Sequence, residues 1–550
     1  MTLNPSVAPP TAPDASRGRG LSRWIKAIAL ILILVSIGLR STNLDLKPFW
    51  EDEVDTMVHV SGYQRQTIAK QLNQQRLTVG DLAKYRDPQS GQSWLETLRA
   101  LTTTAEQPPL YFVILRAWSV IFGHSVAALR SMSVVFSVLG LGVFYLLGRS
   151  LFPTDSATGD AAGWGSMTLA ALSPVLLRYA QETRAYSLWV VWLGLSTWLL
   201  LRAWRSPSKR NWSLYGITLI LAFHTHLLTL FVIVGHGMTL IIHGILNRWR
   251  QTPLKGWILT VVPSGICMIP WLAVLLSKQG SIQTRARWLS TSRPLDSLIR
   301  AWTLGFSKTW LDISGQQALF WSFISLVGFM GVAIATVYLW RHSQRDSIVT
   351  ILSLTLVPTL MILAMDIFSG GQRSTVHRYF IPAYIGLLTL CGSALGSALA
   401  GRVGQRRLSV KTLGLWSGTA LLVLLNLFSI GQLHQSPFWG RRAQYVPQFA
   451  EVMAEDPNAV LVSDLRLALF LALAYALPPD QELVWLNRYA LGDGDRPALP
   501  LEDNDAIFLF SPSEDLEAAM TQQRQNPLPD PIAEGRRPTL NLRFLPPVKP

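Results

Sequence analysis

Four carboxylates fall within five residues in the stretch Trp50-Glu51-Asp52-Glu53-Val54-Asp55. Crowded acids raise the cost of ionising one another, so such a cluster suits a group that accepts or donates a proton. Three other polar groupings interrupt otherwise apolar sequence: Gln181-Glu182-Thr183-Arg184-Ala185-Tyr186, His224-Thr225-His226 and Val376-His377-Arg378. Arginine offers a two-pronged donor for phosphate oxygens, so Arg184 and Arg378 are candidate anion ligands, as are the Lys and Arg residues of the stretch 278–316. Each group also has a plain structural reading. Acids at a helix start oppose its dipole, Glu182 and Arg184 could form a solvated ion pair, His226 a packed core residue, and Arg378 an interfacial anchor. His224 and His226 are two residues apart and do not share a helix face. His236 and His243 read as packing residues.

The elements that position these groups are set by apolarity. The chain has 550 residues, 49% of them hydrophobic and only 15% charged, which is too apolar for an ordinary soluble globule. Apolar runs near the length of roughly 20 residues that a bilayer requires recur from Ile25 to about residue 433. Spans are expected near 25–39, 127–148, 162–178, 186–204, 212–226, 227–247, 256–277, 317–340, 347–368, 379–400 and 412–433, about eleven in all. The net charge of +15 then follows from Lys and Arg in short loops and gives no reason to expect nucleic-acid binding. Arg17, Arg19, Arg23 and Lys26 precede the first span, which reads as an uncleaved anchor with a cytoplasmic start. Counting alternately puts Arg202, Arg205, Lys209, Arg210, Arg248, Arg250, Lys255, Arg341, Arg345, Arg402, Arg406, Arg407 and Lys411 on the cytoplasmic side. All four polar groupings fall on the other. The stretch 278–316 is basic and outside, an exception that long loops tolerate. Cys267 and Cys391 lie inside apolar runs, so neither a disulfide framework nor a cysteine zinc site is expected.

Three regions follow. Residues 1–23 are rich in Pro, Ala and Ser and read as a disordered cytoplasmic tail. Residues 24–433 form the membrane domain, with a first outer loop over about 43–126. Within that loop Leu110 to Gly123 is too short to span and reads as an interfacial helix started by Pro108-Pro109. Residues 434–550 alternate short strands at 460–463, 483–486, 507–510 and 542–545 with helical stretches at 445–455, 466–476 and 513–524. They read as a small extracytoplasmic α/β domain.

Several segments resemble the bacterial GT-C-fold membrane glycosyltransferases, relatives of protein O-mannosyltransferases and lipid A aminoarabinose transferases. They are Asp52-Glu53, Gln107-Pro108-Pro109-Leu110-Tyr111, Leu115-Arg116-Ala117-Trp118, Phe122-Gly123, Leu129-Arg130, Ser173-Pro174, Gln181 through Tyr186, and Thr225-His226. The resemblance covers roughly residues 21–260. It implies an all-α polytopic membrane protein of GT-C fold that moves a sugar from a polyprenyl-phosphate donor to a lipid, glycan or protein acceptor. Transfer would be inverting, on the outer face of the plasma or inner membrane. Beside the resemblance, the residues' own chemistry makes Asp52 or Glu53 the catalytic base, Arg184 and Arg378 the donor-phosphate ligands, and Glu182 and Tyr186 supporting residues. Where many relatives carry His before the Pro-Pro pair, this chain has Glu106-Gln107. That resembles the acidic variant of the aminoarabinose transferases and implies a divalent cation held by Glu106, with His226 as a second ligand. A lipid-linked sugar transporter, with polar groups near mid-membrane and internal repeats, and an oligosaccharide ligase or polymerase, with dominant Arg-rich outer loops, are the alternatives.

Overall fold

A computed structural model describes residues 21–249, 252–313, 316–401, 410–437, 445–487, 499–531 and 541–547. Of the tail expected over residues 1–23, residues 1–20 lie outside the described residues, as do Arg250, Arg402, Arg406 and Arg407 of the basic loops, while Arg23 is already helical.

The chain enters through α1 (Arg23–Ser41) and then builds the first outer loop from α2 (Glu51–Val60), α3 (Arg65–Leu72), β1 (Arg76–Thr78), α4 (Val79–Leu82), α5 (Trp94–Thr102) and α6 (Leu110–Phe122). Helix α6 starts at Pro109 and stops at Gly123, whose φ of 85° is a conformation that disfavours any side chain. One face of α6 is buried through Tyr111, Phe112 and Leu115, while Ile121 and Phe122 stay exposed at its end, as an interfacial helix requires. The buried Arg116 of α6 ties the loop together by donating to the carbonyl oxygens of Val60, Pro88, Gln92 and Ser93.

The membrane bundle comprises α7 (Val126–Ser150), α8 (Ser156–Ala171), the short α9 (Pro174–Ala180), α10 (Tyr186–Arg205), α11 (Lys209–Thr225), α12 (Thr229–Leu246) and α13 (Leu254–Ser277). After the outer segments α14 (Gln279–Arg285) and α15 (Leu295–Ser307) come α16 (Ala318–His342), α17 (Arg345–Ser369), α18 (Ile381–Ala400) and α19 (Val410–Gln435). Side chains set the boundaries: Ser125, Asp155 and Ser208 each accept backbone N–H groups of the helix that follows. Helix α18 is buried along most of its length, packed on α8, α17 and α16, and forms the axis of the bundle.

Among the described residues, nine helices are long and apolar enough to cross a membrane. The other two expected spans are helices of 16 and 17 residues, α8 and α11. The span expected at 162–178 is broken, because Pro174 lacks the N–H that would continue α8 and opens α9 instead. Both short helices nevertheless connect opposite ends of the bundle. The loops that follow them, at residues 181–185 and 226–228, join the same polar site as α2.

The C-terminal region holds α20 (Tyr445–Met453), β2 (Val460–Ser463), α21 (Leu467–Ala474), β3 (Glu482–Trp485), β4 (Ile507–Phe510), α22 (Glu514–Arg524) and β5 (Leu542–Leu545). All four expected strands form. The sheet order is β1-β3-β2-β4-β5, with β3, β2 and β4 parallel and both outer strands antiparallel. Strand β1 comes from the first outer loop, pairing Arg76 with Val484 and Thr78 with Glu482. Arg76 adds a fork of hydrogen bonds to Glu482 and Asp505. The α/β domain and the outer loop therefore share one sheet and lie on one side of the bundle.

Candidate active site

Helix α2 carries the acidic cluster. Its first turn holds Glu51, Asp52 and Glu53, placed where the amide ends of a helix favour negative charge. The three carboxylates then diverge. Glu53 is fully buried and its two oxygens receive Arg130 Nε at 2.9 Å and Nη2 at 2.6 Å, with the Thr183 amide at 2.7 Å. Arg130, at the start of α7, also donates to the carbonyls of Leu44, Lys47 and Pro48. Glu53 is thus a saturated anchor, with its oxygens committed to structure rather than to a proton in transit.

Asp52 faces the interior of the site. Arg378 Nη1 lies 3.3 Å and Arg184 Nη2 4.0 Å from its Oδ2, yet that oxygen accepts no aligned hydrogen bond and is buried at the atom level. Arg184 is fixed from behind: Nη1 donates to the Asp52 carbonyl at 3.0 Å and to Thr56 Oγ1 at 2.9 Å, and the guanidinium rests against the Tyr186 ring. Burial would lower the Arg184 guanidinium, but its interactions with Tyr186 and then Asp52 outweigh this and raise it. Two guanidinium groups from separate loops thus converge on one carboxylate at the outer-loop end of the bundle.

Glu182 is not the solvated partner of Arg184. It is 1% exposed and accepts from Arg178 Nε of α9 at 2.9 Å. Burial pushes its carboxyl above the usual range, and the charge of Arg178 opposes that only in part. Tyr186 bridges toward Arg184, its hydroxyl accepting from Nη2 at 3.3 Å. In the loop 278–316, Lys308 is engaged by Asp312 at 3.0 Å.

A second cluster flanks the first. Asp55 is ion-paired with Arg65 and accepts from Gln107 Nε2 at 3.3 Å. Burial would raise its carboxyl, but Arg65 and then His59 overcome this and bring it down to about 2. Glu106 belongs here, since its charge acts on His59 and Arg65. His226 sits elsewhere, stacked on Trp189 with ring centroids 4.1 Å apart and flanked by Tyr186 and Tyr379. Its Nδ1 accepts from the Leu228 amide at 3.3 Å, and burial, then Arg378 and Arg184, push the imidazole down to about 3. A divalent cation beside His226 would face those same two guanidinium charges. Among the described residues, no three of His, Cys, Asp or Glu converge as a ligand set. Glu106 thus acts on His59 and Arg65, and His226 lies under the charge of Arg378 and Arg184.

Sequence reasoning gave no role to Arg130, quoted only as part of the resemblance, and passed over Arg178 and the backbone amide of Thr183. Arg130 offered one signal, an arginine opening a long apolar run, where a buried charge must find a partner.

Residues 106–274 match the family model of dolichyl-phosphate-mannose-protein mannosyltransferases. No curated protein matches the chain. Among solved structures, ArnT from Cupriavidus metallidurans bound to undecaprenyl phosphate is 15% identical with a TM-score of 0.52, covering 94% of this chain and 98% of that one. The oligosaccharyltransferase AglB from Archaeoglobus fulgidus, in complex with an inhibitory peptide and a dolichol-phosphate, is 13% identical with a TM-score of 0.49, covering 89% of this chain and 70% of that one. The helical bundle with its docked α/β domain is the GT-C fold. The match over residues 106–274 adds a likeness to mannosyltransferases across that part of the chain.

Proposed function

We propose that the protein moves a sugar from a polyprenyl-phosphate donor to an acceptor hydroxyl or amine at the extracytoplasmic face. The observation that carries this reading is Asp52 held between Arg378 and Arg184 at one end of the bundle. A donor phosphate that takes these guanidinium groups competes with Asp52 for them and leaves its carboxylate to the acceptor. The acceptor's O–H or N–H then gives its proton to Asp52 as the new bond to the anomeric carbon forms. The bond from that carbon to the phosphate oxygen breaks on the opposite face, and polyprenyl phosphate leaves with its charge met by Arg184 and Arg378. Attack opposite the leaving group inverts the anomeric centre. No step is routed through a cation, since Glu106 and His226 lie in different surroundings.

The face follows from charge. Arg149, Arg202, Arg205, Lys209, Arg210, Arg341 and Arg345 all lie at the end of the bundle opposite Asp52, where the positive-inside rule puts the cytoplasm. This supports a multi-pass protein of the plasma or inner membrane. A transporter would place its polar groups near mid-membrane, in discontinuous helices. Here they gather at one end, which favours the enzyme.

Incubation of the purified protein with a panel of polyprenyl-phosphate sugars should show acceptor-dependent loss of at least one donor. Asp52→Asn should lower that turnover by about 10²- to 10⁴-fold while the protein still accumulates in the membrane. Turnover within a few-fold of the parent would remove Asp52 as the base and move the transporter reading ahead.

A further inference from the structure

The α/β domain reaches the site at one place. Arg466 ends the connection that leaves the carboxyl end of β2 and caps α21, and its Nη2 lies 3.3 Å from Glu51 Oε1. Glu51 is the residue immediately before Asp52. The connection itself is firmly seated: Trp485 Nε1 donates to the Leu465 carbonyl at 2.8 Å, and Asp464 accepts from the Ser513 amide at 3.1 Å. Behind Arg466, α21 packs on α2, with Phe470 and Leu471 in one buried core with Val54 and Val58. On its other side α2 is held by the bundle, through Arg130 of α7 on Glu53 and Arg184 on the Asp52 carbonyl and Thr56. The first turn of α2 is therefore gripped between bundle and α/β domain. Arg466, with its side chain 53% exposed, supplies an ion pair from the domain to that turn.

We propose that Arg466 is a positioning residue, through which the α/β domain fixes the first turn of α2 and hence the direction of the Asp52 carboxylate. This rests on Asp52 being the base. The two ideas can fail separately, because the position of α2 can be read without turnover. A misplaced reacting group commonly costs about tenfold or more in rate. Arg466→Ala in the full-length protein should thus lower kcat for the active donor about tenfold while donor KM stays within about threefold, because Arg184 and Arg378 are untouched.

Amide hydrogen exchange should show faster exchange in the α2 peptide 51–60, with peptides of α7 and α18 unchanged. The reversed pair Glu51→Arg with Arg466→Glu should recover part of both effects. Recovery stops short of complete because an arginine in the first turn opposes the helix dipole. If Arg466→Ala does not accumulate, Arg466→Gln takes its place, keeping length and polarity without charge. Unchanged exchange in α2, kcat within twofold of the parent, or no recovery in the reversed pair would each overturn the proposal. A parent protein inactive with every donor would instead remove the glycosyl-transfer reading, leaving exchange to decide the role of Arg466.

Discussion

Asp52 and Glu53 are neighbours in sequence and opposite in circumstance. Glu53 points into protein, where Arg130 and the Thr183 amide use its oxygens, while Asp52 turns toward two guanidinium groups that meet it by charge alone. The sequence showed that an acidic cluster at the head of a helix mattered, because four carboxylates in five residues are costly without a purpose. It could not assign them, since which acid is anchored depends on where Arg130 enters, 77 residues away. Whether Glu106 and His226 share a cation is beyond sequence for a related reason: motif order says nothing about which loops meet. His226 has a consequence of its own. Its imidazole is held down to about 3, first by burial and then by Arg378 and Arg184, against an ordinary value of 6.5. The unfolded chain therefore binds a proton at this residue in a pH range where the folded chain does not. The stabilisation is complete above about 6.5 and declines as pH falls toward about 3. Thermal unfolding between about pH 7.5 and about pH 5 should show a midpoint that falls with pH, and His226→Gln should flatten that slope. An equal slope in the variant would mean that His226 is protonated alike in both states.

At the scale of elements, hydrophobic periodicity and turn residues marked the membrane helices, α6, and the helices and four strands of the α/β domain, but not the loop helices α3, α4, α5, α14 and α15. Strand β1 escaped, because Arg76-Leu77-Thr78 is too short and polar to show alternation and becomes a strand only by pairing with β3. The segment expected as one span at 162–178 escaped in part, because the break at Ser173-Pro174 lies inside an apolar run. What holds the short α8 in place is close packing on α18 rather than length. A Cβ built at Gly396 would strike the Ala161 carbonyl, and one at Gly165 the Gly392 carbonyl, so the two backbones touch where small residues face each other. Gly396→Val must push these helices apart, and overpacking of a tight core commonly costs about 1 to 3 kcal/mol. A lowered melting midpoint and reduced yield in detergent are the expected outcomes. By contrast, Gly414→Val of α19, where a Cβ would meet nothing, should leave both unchanged. Equal behaviour of the two variants would show that α8 and α18 are not in backbone contact.

At the scale of the whole molecule, the shared sheet constrains topology. Strand β1 follows α1 and strands β2 to β5 follow α19, yet they form one sheet, so the chain crosses the membrane an even number of times between them. That parity holds with α8 and α11 as full crossings and fixes the loops between them. The loop after α9 supplies Arg184, the one after α17 supplies Arg378, and both reach Asp52, so they emerge on the side of the loop that carries α2. Basic residues crowd the opposite ends, at Arg202 and Arg205 of α10, Lys209 of α11, and Arg341 and His342 of α16. The charge rule predicts that the sheet and the acidic cluster lie outside, which labelling tests. Single cysteines placed at Gln89 and Asp530, in a background with Cys267 and Cys391 replaced by serine, should react with a membrane-impermeant maleimide on intact cells. Cysteines at Ser208 and His342 should react only after permeabilisation. Opposite behaviour of Gln89 and Asp530 would break the shared sheet and with it the grip of the α/β domain on α2. Reversal of all four would keep the architecture but put Asp52 on the cytoplasmic face, where the acceptor would have to be sought instead.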